Sequence, residues 1–207
     1  MSDRRTRGSR LILVRHGETE GESSIRYHGR TDVALSDLGR EQMRLAARAI
    51  HAPRAIEFAH VFSSPLVRAS EGARIVAGES TALITIDEFA EVHFGLFEGL
   101  TADEIRERYP GEYARWNLDR LAPTYTYPEG ESRAAFTERV ERGLSRMLAH
   151  WTPRDDHALL VAHRGVIRTI VRKLTNREPT VELGSIHILR FDGEWHAEAL
   201  DLIDHLA

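Results

Sequence analysis

The sequence predicts an α/β fold: a three-layer sandwich with a mostly parallel central sheet, helices on both faces, and a small, mostly helical insertion over a cleft. Three observations carry this. Short apolar runs of strand length alternate with amphipathic stretches of helix length through most of the chain. Two of the runs, Leu-Ile-Leu-Val (11–14) and Ala-Leu-Leu-Val-Ala (158–162), are continuously apolar, as strands buried on both faces are. Between residues 94 and 132 the pattern breaks into Gly-, Pro- and Tyr-rich sequence with only short helical signals.

The elements follow in order. Leu11 to Val14 reads as the first strand, and a polar loop runs on to about Leu35. Ser36 reads as the N-cap of a helix through Ile50, whose apolar face carries Leu38, Met43, Leu45, Ala46 and Ala49. His60 to Ser63 is a second strand. Ser64-Pro65 reads as the start of the next helix, Ser as cap and Pro in the first turn, with Gly78 at its end. Ala82 to Ile86 is a third strand. Thr101-Ala-Asp-Glu104 is a capping box that opens a short helix stopping near Pro110. A second short helix lies around Trp116, and Leu121 to Gly130 is a loop. A long helix covers Ser132 to His150. A strand from Ala158 to Ala162 ends at His163, a helix runs from Gly165 to Leu174, and two strands, Ser185 to Phe191 and Trp195 to Ala199, close the chain through an Asp192-Gly193 hairpin.

Composition narrows the function classes. A chain of 207 residues fits one domain, taken here as 1–207 with a disordered tail over 1–9. The net charge of -4 lacks the basic excess of a general nucleic-acid binder. With no cysteine, disulfides, a thiol nucleophile and Cys-based metal sites are excluded. No signal-peptide core follows the basic N-terminus, and no apolar run approaches the roughly 20 residues a membrane span requires. The expectation is a cytoplasmic protein without membrane or nucleic-acid partners.

Two places share one pattern: an apolar strand, then His, then Gly, in Val14-Arg15-His16-Gly17 and in Val161-Ala162-His163-Arg164-Gly165. Ligands of open α/β sheets sit beyond the carboxyl ends of the strands, where both histidines fall. Arg68 follows the strand His60 to Ser63 by a helical turn and can reach the same mouth. Arg15 and Arg68 supply planar forks that match phosphate oxygens. A neutral imidazole is a competent nucleophile near pH 7. Its attack on phosphorus gives a phosphohistidine and divides one displacement into two easier ones, without a metal. Glu91 is the candidate proton donor to the leaving oxygen, because like charge on a bound phosphate disfavours its ionisation; Glu98 competes for that role. The 11 histidines raise metal-dependent hydrolysis as another reading, but no His-x-x-x-His or His-Glu-x-x-His pair supports it.

These residues resemble the histidine phosphatase superfamily, the phosphoglycerate-mutase-like proteins. The match runs in order through Leu13-Val-Arg-His-Gly-Glu-Thr19, Tyr27-His-Gly-Arg-Thr-Asp32, Leu35-Ser-Asp-Leu-Gly39, Ser63-Ser-Pro-Leu-Val-Arg-Ala69, Glu91-Val-His-Phe-Gly-Leu-Phe-Glu-Gly99, Pro128-Glu-Gly-Glu-Ser132 and Val161-Ala-His-Arg-Gly-Val-Ile-Arg168. The resemblance implies His16 as nucleophile, Arg15, Arg68 and His163 as the phosphate pocket, and Glu91 as acid and base. It places His28 and Gly29 where the mutases touch substrate. Two positions depart from the pattern. Glu22 stands where the family has a phosphate-contacting Asn, with Ser23 or Ser24 as replacements for the lost contact. Arg164 stands where Gly or Ser is usual; its backbone N–H can still serve phosphate, and its side chain can pair with Glu22. Both are counted with the substrate-binding residues.

The resemblance implies a phosphatase acting on a small phosphorylated metabolite, with no cofactor. A cofactor-dependent phosphoglycerate mutase is the alternative; by resemblance those are longer chains. A non-catalytic interaction domain is the third reading, set against by the presence of all five core residues. The segment Thr101 to Ser132 is expected to line the mouth and set substrate choice. Its Tyr109, Tyr113, Trp116, Tyr125 and Tyr127 either stack on a ring of the substrate or pack the insertion onto the core. A homodimer is one option for assembly.

Overall fold

The computed structural model describes residues 8–52, 56–154 and 156–207. Six strands, β1 (Ser9–Arg15), β2 (Phe58–Ser63), β3 (Leu83–Thr85), β4 (His157–Ala162), β5 (Ile186–Phe191) and β6 (Trp195–Leu202), form one sheet in the order β3-β2-β4-β1-β5-β6. Strands β1 to β4 pair in parallel, and β5 lies antiparallel to both β1 and β6. Six α-helices accompany them: α1 (Asp37–His51), α2 (Val67–Ala77), α3 (Ala102–Arg108), α4 (Pro110–Asp119), α5 (Arg133–His150) and α6 (Arg164–Thr175).

The continuous apolar runs explain the layering. Successive side chains of a strand point to opposite faces. Leu11 and Leu13 of β1, with Leu160 and Ala162 of β4, pack with Val140 and Met147 of α5 and Ile167 and Ile170 of α6. Ile12 and Val14, with Leu159 and Val161, pack instead with Met43 and Ala46 of α1 and Ala73 and Val76 of α2. The sheet is therefore covered on both sides, and the sandwich expected from the sequence is the observed one. Ser36 caps α1 by accepting from the Gly39 N–H, and the Thr101–Glu104 capping box closes in both directions.

Two expectations need correction. Ser64 does not cap a helix at Pro65: α2 begins at Val67, its N-cap Leu66 has no side-chain cap, and the Ser64 hydroxyl is engaged by the Leu66 N–H and by His163. The tail expected over 1–9 is too long, because Ser9 is buried and opens β1; residues 1–7 lie outside the described residues.

Helices α3 and α4 lie between β3 and β4 in sequence and are held by aromatic packing. Tyr27 meets Trp116 edge to face at 5.9 Å, Phe94 meets Tyr127 at 5.0 Å, and Tyr125 meets Tyr127 at 5.1 Å. The aromatic residues of this segment thus join it to the core.

Candidate active site

Parallel pairing of β1 with β4 places Arg15 opposite Ala162, so the chain leaves the sheet at His16 and His163 side by side. The His16 N–H donates to the Ala162 carbonyl at 3.0 Å. Beyond this point β1 leads to α1 on one face and β4 leads to α6 on the other, and the crevice opens where the two paths diverge. The two imidazoles lie with ring centroids 5.1 Å apart. A cleft of about 310 Å³ opens there, walled by Arg15, His16, His28, Arg68, Glu91 and Arg164 together with the loop from Ser23 to Tyr27, Phe94, Glu182 and Leu183.

The imidazole of His16 is set in one tautomer. Its Nδ1 lies 2.7 Å from the Gly17 carbonyl, which can only accept, so Nδ1 carries the proton and Nε2 keeps its lone pair. Burial, reinforced by the Arg68 and Arg15 charges, holds the pKa of His16 well below the usual histidine range. His163 is depressed in the same way, by burial and then by Arg68. Its Nε2 lies 2.7 Å from the Ser64 hydroxyl. Burial lowers Arg15 to about 10, which leaves it cationic at neutral pH.

Each arginine is anchored by backbone carbonyls. Arg68 donates to the carbonyls of Thr31, His28 and Gly29 at 2.7–2.8 Å, and Arg15 donates from Nη1 to Val181 at 3.0 Å. The Nε atoms of both, and Nδ1 of His163, are buried without a hydrogen-bond partner in the protein. Buried polar groups are ordinarily satisfied, so two unpartnered arginine Nε–H groups beside one imidazole suit an oxyanion, whose oxygens accept from several donors at once.

The carboxylate of Glu91 accepts from the Val92 N–H at 2.9 Å and from the Gly165 N–H, in the first turn of α6, at 3.0 Å. A Cβ at position 165 would come within 2.5 Å of that carboxylate, so only glycine permits this approach. The segment bearing Glu91 is pinned from beneath. Arg139 donates to the carbonyls of Glu88, Ala90 and Glu91 and forms a bidentate ion pair with Glu131. Glu98 takes no part in the cleft. Its two oxygens accept from the N–H groups of Arg30, Thr31 and Phe94 and from the Thr31 hydroxyl, tying two loops together.

Three sequence expectations fail geometrically. Glu22 is not in the cleft wall: its φ of 58° turns the side chain into solvent, where Arg26 pairs with it at 3.4 Å. Arg164 does line the cleft but does not meet Glu22; its Nε donates to the Thr180 carbonyl at 3.2 Å. Gly29 is a packing position whose Cβ would collide with the Val92 carbonyl, and its own carbonyl holds Arg68. Ser23 and Ser24 do line the cleft, and Ser23 donates to Glu18 at 2.9 Å. No residue of Thr101 to Ser132 lines this main cleft.

A family model described as histidine phosphatase superfamily (branch 1) matches residues 11–199. The chain belongs to the histidine phosphatase superfamily. A bifunctional protein of Mycobacterium tuberculosis is 36% identical over 166 residues, 79% of this chain and 43% of that protein, so the chain spans less than half the length of that relative. An acid phosphatase of the same organism is 32% identical over 171 residues, 81% of this chain and 76% of that one. The solved structure of a mycobacterial glucosyl-3-phosphoglycerate phosphatase superposes with a TM-score of 0.78 at 26% identity, covering 95% of this chain and all of that one.

This member of the superfamily also braces the cleft with residues that a reading of its sequence overlooks. Asp201 accepts from the N–H groups of Thr180 and Val181 at 3.0 and 2.8 Å, and those same two residues offer the carbonyls that hold Arg164 and Arg15. Val181 sits at φ 62°, a strained position for a β-branched residue. Only the turn residues around Pro179 hint at it in sequence, and nothing there ties it to Asp201.

Proposed function

We propose that this chain hydrolyses small phosphomonoesters without a metal ion, through a phosphohistidine formed on His16. The observation that carries the reading is the gathering of Arg15, Arg68 and His163 beside the buried His16 imidazole, whose Nδ1 is held by the Gly17 carbonyl so that Nε2 keeps its lone pair. Nε2 attacks phosphorus, and the bond from phosphorus to the leaving oxygen breaks. The leaving oxygen takes a proton from Glu91. Water then attacks the phosphohistidine, Glu91 accepts a proton from it, and the P–N bond electrons return to Nε2. The two arginines, with His163, stabilise the charge spread over the three transferring oxygens.

That several relatives bear phosphatase names supports hydrolysis over mutase chemistry. The same reading carries a small phosphorylated metabolite as partner, no organic cofactor and a cytoplasmic setting; among the described residues no helix is long and apolar enough to cross a membrane. The test is hydrolysis of a generic aryl phosphate in excess chelator. Turnover that disappears in His16→Ala is expected. Turnover that requires an added divalent metal would contradict the mechanism.

A further inference from the structure

Beside the main cleft lies a second hollow of about 400 Å³. The two share a wall made of Glu91, Phe94 and Arg164. The Glu91 carboxylate, fixed against the Gly165 N–H, therefore stands on the rim common to both. In an in-line displacement the leaving oxygen lies opposite the attacking Nε2 across phosphorus. The group that protonates it marks the side on which the leaving group departs. With Glu91 as that group, the departing body lies along the rim of Glu91, Phe94 and Arg164 that the two hollows share.

The chemistry of that hollow is mixed and specific. Phe94, Tyr127, Phe136 and Leu121 give it apolar surface. Four arginines, 133, 164, 168 and 172, face two acids, Glu91 and Glu178. Glu178 is already occupied by Arg168 and Arg172. Arg133 forms no ion pair among the described residues, and Arg164 uses its Nε on a backbone carbonyl, leaving the rest of its guanidinium uncommitted. An apolar surface with two uncommitted guanidiniums suits a body that is part ring and part anion.

Resting on the phosphatase reading, we propose that this hollow is the leaving-group site, and that it takes phosphomonoesters whose alcohol carries an apolar ring and a second anionic group. Substrate choice then lies with Leu121, Tyr127 and Arg133, which line this hollow and not the main cleft. Two synthetic esters test it: 2-naphthyl phosphate and the same ester with a carboxylate on the distal ring. Wild-type protein should turn over the carboxylated ester with a kcat/KM about tenfold higher, the effect of one charge-assisted contact. Arg133→Ala should bring the ratio to about one, and Arg133→Glu should invert it. A wild-type ratio at or below one, or a ratio that both variants leave unchanged, would overturn the proposal. Failure of the underlying reading looks different: neither ester is hydrolysed, or hydrolysis survives His16→Ala, and the proposal then falls with it.

Discussion

The burial of His16 opposes its protonation, and the Arg68 and Arg15 charges act in the same sense. Its ring should therefore stay neutral through the range where an ordinary histidine titrates. In a histidine NMR titration of the free protein, its resonance should show no midpoint between pH 6 and 7; a midpoint there would contradict the electrostatic account. Gly165 offers a second test. Gly165→Ala drives a methyl into the Glu91 carboxylate and the Phe136 ring. A displacement of about 1 Å at a reacting group costs about a hundredfold, so kcat should fall by that order while thermal stability changes modestly. Retained kcat with a lowered melting temperature would mean that the contact is only structural. Residues at strand ends were legible in the sequence because the strand fixes where they emerge; Arg15, His16 and His163 are of this kind. Glu22 was not, since its direction depends on a single positive φ, and Ser64 was not, since its partner His163 lies 99 residues away.

At the scale of elements, the turn at Thr180–Val181 works as a buttress between the C-terminal strands and the cleft. A non-glycine residue in such a conformation is strained by roughly 1–3 kcal/mol. Asp201 offsets this through two N–H bonds. Asp201→Ala should release the turn, loosen Arg15 and Arg164 together, and raise both KM for a phosphate ester and the inhibition constant of inorganic phosphate by about tenfold. Asp201→Asn, which keeps one acceptor oxygen, should recover part of the loss. Unchanged phosphate inhibition in Asp201→Ala would refute the buttress. The helices and strands themselves were readable from apolar runs and caps. This turn was not, because its conformation is set by a carboxylate on β6. The aromatic residues of 109–127 illustrate the same limit: composition does not say which of them face the core, and Tyr125 and Tyr127 proved to be buried there.

Over the whole molecule, three buried histidines tie stability to pH. His16 and His163 are held well below the usual range, and burial lowers His187 to about 4. In each case the unfolded chain binds a proton more readily than the folded one below about pH 6.5. Their contribution is full above that pH and is lost as the pH falls toward the folded values, at up to about 1.4 kcal/mol per pH unit for each histidine. The urea midpoint should therefore drop steadily from pH 7 to pH 5; a midpoint that is flat or rises over that interval would contradict the burial of these groups. The α/β class and both histidine-bearing strands were visible in the sequence, but the adjacency of β1 and β4, which brings His16 beside His163, depends on pairing across almost 150 residues. That adjacency is what the proposed chemistry requires. The most direct test is rapid quenching of the protein mixed with a phosphorus-labelled ester in excess chelator, followed by mapping of the label. An alkali-stable, acid-labile phosphoryl group on His16, absent together with turnover in His16→Ala, is the predicted result. Undiminished turnover in His16→Ala, or label on another residue, would contradict it.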